Sequence, residues 1–225
     1  DLLMLSHRDS DHVGGAASLL AGLPVGRLLS SLEPGHGLLA AGPPAQPCLQ
    51  GQAWEWDGVR FELLHPGALH YQQGLKSNDL SCVLRVVNRA GRAVLLTGDI
   101  EAAQELALVQ RLGAEALRSE VLLVPHHGSK TSSTEAFLAA VAPQQAFVQA
   151  GYRNRFGHPA PAVLARYQAQ AVRVLNSPDC GAWRWRSADG QGACQRELRP
   201  RYWHARPRVQ AGAEQFGPWP EPQPG

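Results

Sequence analysis

The chain has 225 residues, of which 44% are hydrophobic and 18% charged, and its formal net charge is +2. This length can bury a core without disulfides, and this composition excludes a disordered chain, a coiled coil and a collagen-like repeat. The longest apolar runs, such as the one at 121–124, are far shorter than the ~18 residues that cross a membrane. The near-neutral charge gives no global reason to expect nucleic acid or an anionic membrane as a partner, so a local patch would have to recognise either one.

The chain begins in a strand-like apolar run. It starts with Asp1 instead of Met, and no charged segment precedes the run as it would in a signal peptide. We therefore expect this sequence to be a fragment of a longer protein, cut just upstream of a site.

Short apolar runs alternate with amphipathic stretches, which is typical of an α/β fold. Strands are predicted at residues 2–6, 25–30, 52–56, 59–64, 80–87, 92–97, 121–125, 145–150 and 171–175. Helices are predicted at 13–21, 101–113, 134–141 and 160–169. Gly113 is expected to end the second helix, and Ser133 or Thr134 to cap the third. The Pro- and Gly-rich stretch 35–50 is predicted to be a loop.

The residues after Gly181 alternate and predict a hairpin, with Trp183 and Trp185 on one face and Arg184 and Arg186 on the other. Two cysteines, Cys180 and Cys194, flank this hairpin and could form one disulfide; two free thiols are an equal alternative on counting alone. Cys48 and Cys82 lie far away in the sequence. Five prolines fall in the last 19 residues, so we expect a domain at 1–204 followed by a disordered Pro-rich tail at 205–225.

The first candidate site combines two His and two Asp within six residues, namely His7, Asp9, Asp11 and His12. In an extended segment, positions i and i+2 lie on the same side, so His7 and Asp9 can converge on one metal ion. Asp11 and His12 follow at the turn into a helix, where they can face a second ion. The alternative is an Asp helix cap among polar loop residues, but the density of ligand types favours a metal site.

Three further strands end in ligand-type residues. Asp99 follows one strand, His126 and His127 follow the next, and His158 lies in the loop after a third. Asp99 taken alone is compatible with an ordinary turn, whereas helix capping by Ser133 or Thr134 does not explain His126 and His127. Four such strand ends together predict a two-metal hydrolytic centre. The remaining histidines have no such partners in sequence and are interpreted as surface or structural residues in loops; they are His36, His65, His70 and His204.

Four motifs carry a resemblance to a known family. They are Ser-His-Arg-Asp-Ser-Asp-His-Val-Gly-Gly at 6–15, Leu-Leu-Thr-Gly-Asp at 95–99, Val-Pro-His-His-Gly-Ser-Lys-Thr-Ser-Ser at 124–133 and Gly-Tyr-Arg-Asn-Arg-Phe-Gly-His-Pro at 151–159. The first resembles the His-x-His-x-Asp-His signature of the metallo-β-lactamase fold, with Asp9 in place of the second His. Together the motifs closely resemble the C-terminal domain of the ComEC competence proteins, over residues 1 to about 204.

This resemblance implies an α/β fold of the metallo-β-lactamase-like αββα sandwich type, whose N-terminal strands would be missing from this chain. It also implies a nuclease in a DNA-uptake channel, which degrades the strand that is not transported. The implied metal ligands are His7 and Asp9 on one ion and Asp11 and His12 on the other, bridged by Asp99. One of His126 and His127 completes the set, and we favour His127 because the following Gly frees the turn.

The implied catalysis uses a water that Asp11 orients or deprotonates, while Lys130, His126 or His158 stabilises or protonates the leaving oxygen. The stretch 77–81 lacks the further His of zinc lactamases, and Asp9 adds another oxygen ligand. Two divalent ions, Mn²⁺ in preference to Mg²⁺ or Zn²⁺, are therefore expected.

Single- or double-stranded DNA is the expected partner, together with a membrane-channel portion of the same polypeptide; no small organic cofactor is expected. Trp183 and Trp185 are interpreted either as stacking platforms for bases or, more simply, as core residues. The expected location is the bacterial inner membrane, with this domain on its extracytoplasmic side. The alternatives are an ester or lactone hydrolase of the same fold and a catalytically silent DNA-binding module. Candidate DNA contacts are Lys130, Arg153, Arg155, Arg184 and Arg186.

Overall fold

A computed structural model describes residues 1–204, and the predicted tail at 205–225 lies outside the described residues. The first part of the chain forms a small parallel sheet with the order β1-β2-β3. Its strands are β1 (Leu2–Leu5), β2 (Arg27–Ser30) and β3 (Ala45–Pro47). The third strand and a 3-10 turn at Gly37–Ala40 lie within the stretch that was predicted to be a loop.

A larger mixed sheet of seven strands has the order β10-β9-β8-β7-β6-β5-β4. Strands β7 to β10 are parallel, whereas β4 to β7 are antiparallel neighbours. The strands are β4 (Ala53–Trp56), β5 (Val59–His65), β6 (Val83–Val87), β7 (Ala93–Leu96), β8 (Val121–Leu123), β9 (Gln145–Val148) and β10 (Arg173–Asn176). The predicted hairpin is confirmed as a separate antiparallel pair, β11 (Trp183–Arg186) and β12 (Gln191–Cys194).

The predicted first helix is divided into α1 (Ser10–Val13) and α2 (Ala16–Gly22). Helix α3 (Ala102–Leu117) continues beyond its expected end, because Gly113 with φ of 70° introduces a break instead of a stop. In α4 (Glu135–Val141), Thr134 Oγ1 accepts a hydrogen bond from the Phe137 amide, so Thr134 is the cap. The remaining helices are α5 (Pro161–Ala169), α6 (Ser177–Cys180) and α7 (Gln195–Leu198). No helix within 1–204 has both the length and the apolar character needed to cross a membrane.

Three apolar layers define the architecture. Leu108, Phe137 and Tyr167 lie in the core between helices α3 to α5 and the large sheet. Residues from both sheets form the middle layer, and α2 with the 3-10 turn at Gly37–Ala40 covers the outer face of the small sheet. The order of layers is helix, sheet, sheet, helix, which confirms the predicted αββα sandwich.

All four cysteines are paired. Cys180 bonds Cys194 across the base of the hairpin, which resolves the alternatives left open by counting. Cys48 bonds Cys82, although they are 34 residues apart in sequence. Cys48 follows the small sheet and Cys82 precedes β6 of the large sheet, so this bond joins the two sheets. The long separation of the two cysteines in the sequence gave no sign of this pairing.

One of the four structural histidines was placed wrongly. His65 lies at the end of β5 and not in a loop, and its side chain is buried. Its Nε2–H donates to the Asp79 carbonyl oxygen over 2.7 Å, and its ring lies against that of His70. The contacts of His65 therefore agree with its interpretation as a structural residue, but it lies in a strand and not in the predicted loop.

Candidate metal centre

The ends of four strands meet at one edge of the sandwich. The small sheet supplies the segment 6–12 after β1, and the large sheet supplies the residues that follow β7, β8 and β9. Two backbone hydrogen bonds hold this edge together, one between the two sheets and one within the large sheet. Cys82 N–H donates to the Ser6 carbonyl over 2.9 Å, and His126 N–H donates to the Gly98 carbonyl over 3.2 Å.

Four of the predicted ligands, Asp11, His12, Asp99 and His127, form a tight cluster. Their ligand atoms all lie within 4.8 Å of one another. Asp99 is buried at the centre: its Oδ1 lies 3.3 Å from His12 Nε2 and its Oδ2 lies 3.3 Å from His127 Nε2. Asp11 Oδ2 is 3.1 Å from His127 Nε2 at the exposed side. These separations suit nitrogen and oxygen ligands that share one ion, since each would lie about 2.0–2.2 Å from it.

His7 and Asp9 approach the same aspartate from the other side. The Nε2 atom of His7 is 3.8 Å from Asp99 Oδ2 and 3.8 Å from Asp9 Oδ2. This atom is buried and makes no hydrogen bond to any described residue. A buried polar atom without a partner needs an explanation, and coordination of a metal ion by this atom is one. Asp99 thus lies between two groups of ligands, as a bridging carboxylate would.

Serine hydroxyls orient the imidazoles. Ser6 Oγ lies 3.1 Å from Nδ1 of both His7 and His12, and its two lone pairs can accept a hydrogen bond from each ring. Both Nε2 atoms are then free to bind a metal, and such supporting contacts are typical of histidine ligands. Ser81 Oγ accepts from the Asp99 amide over 3.0 Å and lies 3.3 Å from His7 Nδ1. Sequence reasoning missed both serines, because neither contact has a local sequence signal.

The two histidines that follow β8, His126 and His127, contact different partners. His127 Nδ1–H donates to the Gln149 carbonyl over 2.7 Å, which leaves Nε2 facing the cluster. His126 instead has its Nε2 4.0 Å from Asp99 Oδ2 and its Nδ1 3.1 Å from Glu101 Oε1. The structure therefore brings His127 into the four-residue cluster, as the sequence favoured, and gives His126 a carboxylate partner that was missed.

A left-handed turn aims these two rings. His126 and His127 have φ of 48° and 53°, and Gly128 follows with φ of 81°. Such backbone is costly for residues other than glycine, by about 1–3 kcal/mol each, and is concentrated at functional sites. A Cβ atom at Gly128 would lie 2.6 Å from Pro159 Cβ, so glycine is also required by close packing.

The charges of the cluster are strongly coupled. Burial works against ionisation of Asp99, but hydrogen bonds from His12 and His127 outweigh it and hold the pKa of this carboxyl well below its usual range. The hydrogen bond to Asp99 raises the pKa of His127 to about 9. Burial, assisted by the nearby His12, lowers the pKa of His7 to about 4. An ionised carboxylate and a neutral imidazole are the forms that bind metals. Asp99 and His7 have these forms at neutral pH, whereas His127 would have to release its proton to bind a metal.

The other predicted site residues fall into three places. His158 lies beside His126, with 6.0 Å between ring centroids, and lines the same cavity as His127. Arg153 and Arg155 are exposed on the loop after β9. Lys130 is exposed in a different groove, beside Thr134 and Arg166, so its predicted role at the leaving oxygen gains no geometric support.

The hairpin residues divide by face as predicted. Arg184 and Arg186 are exposed, and Arg186 pairs with Asp189 over 2.7 Å. Trp183 stacks on Phe147 with 5.5 Å between centroids and also lines the cavity beside the cluster. Its packing agrees with the simpler interpretation of this residue as part of the core.

Comparison with known proteins assigns the chain to a superfamily. A family model described as the metallo-beta-lactamase superfamily matches residues 1–151, a range that contains all the candidate ligands. The fold and the site thus define a chain of that superfamily, and the class of activity that they indicate is metal-dependent hydrolysis.

The chain belongs, within that superfamily, to the ComEC family of competence proteins. It is 39% identical over 212 residues to competence protein ComA of Neisseria gonorrhoeae, which covers 92% of this chain and 28% of that protein. It is 32% identical over 195 residues to ComE operon protein 3 of Bacillus subtilis (strain 168), which covers 83% of this chain and 24% of that protein. The chain therefore spans about a quarter of the length of these relatives.

A solved structure shows the same fold at low identity. CmlA, a diiron β-hydroxylase from Streptomyces venezuelae, superposes with a TM-score of 0.51 at 13% identity, over 77% of this chain and 43% of that one. This likeness concerns the fold alone.

Proposed function

We propose that this chain is the metal-dependent nuclease domain of a DNA-uptake channel and hydrolyses phosphodiester bonds of the strand that is not transported. The observation that carries the proposal is the buried Asp99, which lies between two groups of His and Asp ligands in a chain of the competence family. The channel would be formed by other parts of a longer polypeptide, which is consistent with the share of its relatives that this chain spans.

The donor set fits two divalent ions. His7 and Asp9 would hold one, Asp11, His12 and His127 the other, and Asp99 would bridge them. Three of these six side chains are carboxylates, which favours Mn²⁺ or Mg²⁺ over zinc, and we propose Mn²⁺. Bound ions of this kind supply Lewis-acid charge to phosphate oxygens and make a bound water more acidic.

The proton transfers are assigned to residues around the cluster. Asp11 is the exposed carboxylate of the cluster, which supports a role in orienting the attacking water and accepting its proton. The new bond joins this water oxygen to phosphorus as the bond from phosphorus to the leaving oxygen breaks. His126, paired with Glu101, would donate a proton to that leaving oxygen, and His158 is the neighbouring alternative.

The direct test is cleavage of a labelled single-stranded oligonucleotide by the purified chain with Mn²⁺, Mg²⁺ or Zn²⁺. Asp99→Ala is expected to lower the rate at least about a hundredfold, because both ligand groups lose their shared carboxylate. Glu135→Gln is the control. It removes an exposed carboxylate at the start of α4, outside the cluster, and should retain the wild-type rate. Metal occupancy without cleavage under any of the three ions would overturn the proposal, and concurrent hydrolysis of a lactone would favour the ester-hydrolase alternative.

The extracytoplasmic side of the inner membrane is the proposed location of this domain. All four cysteines are paired, and disulfides persist in oxidising compartments and are rare in the cytosol. Trapping of free thiols in intact cells, followed by mass analysis of the chain, checks this. Four blocked thiols in the native protein would contradict the proposed location.

A further inference from the structure

The loop between β9 and α5, which borders the candidate metal centre, exposes two aromatic side chains. Tyr152 is 60% exposed and Phe156 is 66% exposed. The loop is held in this conformation by Asn154, whose side-chain amide donates to the Gly151 and His158 carbonyls and whose Oδ1 accepts from the His158 amide over 2.9 Å. Two large rings are thus presented to solvent by a loop with its own internal support.

Each of these rings carries a neighbouring guanidinium. The Arg153 guanidinium lies 5.2 Å from the Tyr152 ring centroid, and that of Arg155 lies 4.8 Å from the Phe156 ring centroid. These are cation–π distances. A flat ring next to a cation is the combination that single-stranded nucleic acids need, because every base has a π-face and every linkage a negative charge.

Phe156 connects this loop to the metal centre. It stacks on His158, with 5.7 Å between centroids and 17° between the ring planes. It also lines a cavity of about 750 Å³ whose wall includes His12 and His127 and whose apolar side is formed by Trp183. Cavities of this size and mixed character are typical of small-molecule sites, and this one can accept a base together with its sugar.

We infer that Tyr152 and Phe156 are a stacking platform for unpaired bases, which positions single-stranded DNA for cleavage at the adjacent metal centre. This inference rests on the proposed nuclease function and names its substrate as single-stranded. The bases of a duplex are stacked on one another and cannot offer their faces to these rings. Arg153 and Arg155 would neutralise the phosphates on either side of the stacked bases.

Equilibrium binding of short fluorescent oligonucleotides to the full chain, in EDTA to prevent cleavage, tests this platform. The probes are an oligothymidylate, an abasic strand of equal length and a duplex of equal length. The wild-type chain is expected to prefer the oligothymidylate to the abasic strand by about tenfold or more, from the size of base stacking on aromatic rings. The doubly substituted Tyr152→Ala, Phe156→Ala chain should bind both strands with equal affinity.

Two controls separate stacking from general damage. Trp56→Ala removes another exposed aromatic ring, on β4 at the far edge of the large sheet, and should keep the full preference. Phe156→Trp, in a chain with Tyr152 intact, should also keep this preference because both positions still carry an aromatic ring. Equal wild-type affinity for the abasic strand or the duplex, or a preference retained without both rings, would overturn the inference.

The inference and the proposed function fail in different ways. A chain that cleaves DNA but shows no preference for bases remains a nuclease without a platform. A chain that prefers the oligothymidylate but cleaves nothing with any of the three metals has the platform without the nuclease. Binding in EDTA and cleavage with metal therefore give independent results.

Discussion

A single hydroxyl group supports both groups of proposed metal ligands. Ser6 Oγ contacts Nδ1 of His7 and of His12 at equal distances of 3.1 Å. These rings belong to opposite sides of Asp99, so the hydroxyl couples the orientation of one proposed metal position to that of the other. Loss of such supporting contacts typically costs 10- to 100-fold in metal affinity.

Ser6→Ala is therefore expected to weaken Mn²⁺ binding by about 10- to 100-fold while the chain remains folded. Isothermal titration of the metal-free chain measures this. Ser119→Ala is the control, since Ser119 is a buried serine whose hydroxyl donates to the Leu117 carbonyl, away from the cluster. Unchanged affinity in Ser6→Ala would show that the two imidazoles keep their orientation without this hydroxyl.

The candidate metal ligands were easier to predict from the sequence than the side chains that support them. His7, Asp99 and His127 follow strands, and the sheet brings these ends together in a way that the order of elements indicates. Ser6, Ser81 and Glu101 are ordinary residues at turns and helix caps, and their roles depend on which ring lies within 3.5 Å after folding. No pattern in the chain specifies those distances.

One buried carboxylate anchors the loop after β8. Glu105 of α3 accepts hydrogen bonds from the amides of Ser133 and Thr134, at 2.5 and 2.7 Å. Burial raises the pKa of Glu105, which the two amide donors and nearby Arg166 oppose. Arg166 in turn donates to the carbonyls of Ser132 and Ser133. This helix thus fixes the C-terminal end of the segment whose other end carries His126 and His127.

Glu105→Ala is expected to lower the free energy of unfolding by about 3 kcal/mol, because the buried Ser133 amide and the partly buried Thr134 amide lose their acceptor. Urea denaturation followed by circular dichroism measures the change. Glu115→Ala, at an exposed position on the same helix, should alter stability by less than about 0.5 kcal/mol. Equal effects of the two substitutions would contradict the anchoring role of Glu105.

His65, at the end of β5, makes the stability of the fold depend on pH. Burial is the main reason that the pKa of His65 falls to about 4, from an ordinary value of 6.5. Between these values the unfolded chain binds a proton at this residue and the folded chain does not. The contribution of neutral His65 to the free energy of unfolding is therefore fully present above about pH 6.5. It decreases as the pH falls towards 4, by about 3 kcal/mol in total.

His65→Gln removes this titration while its amide can still donate to the Asp79 carbonyl. We expect the variant to lose less stability than the wild type between pH 6.5 and 4.5, as measured by urea denaturation in the presence of a chelator. His36→Gln, at a partly exposed position, is the control and should keep the wild-type dependence on pH. The same pH dependence in all three chains would contradict the role of His65.

Local patterns predicted the helices and strands better than their breaks and pairings. The alternation after Gly181 was sufficient for the hairpin, and the apolar runs located the strands that carry the site. The strand β3 (Ala45–Pro47) was missed because Pro and Gly dominate its surroundings, and only its neighbour β2 makes it part of a sheet. The Cys48–Cys82 bond depends likewise on contact between the two sheets, which no local pattern shows.

The site depends on the sandwich as a whole, because its ligands come from both sheets. His7, Asp9, Asp11 and His12 follow β1 of the small sheet, whereas Asp99 follows a strand of the large one. The Cys48–Cys82 bond joins these sheets, and the amide of Cys82 donates to the carbonyl of Ser6. Cys180–Cys194 instead closes the hairpin at the edge of the cavity.

Removing either bond should therefore destabilise the chain, but only one removal should affect metal binding. From loop-closure entropy, Cys48→Ala with Cys82→Ala is expected to cost about 4 kcal/mol and Cys180→Ala with Cys194→Ala about 3 kcal/mol. The first pair should also weaken Mn²⁺ binding, because the small sheet can then shift against Asp99, whereas the second pair should leave it unchanged. Urea denaturation and metal titration of both double variants check this, and equal metal affinity in the two would mean that core packing alone holds the sheets in register.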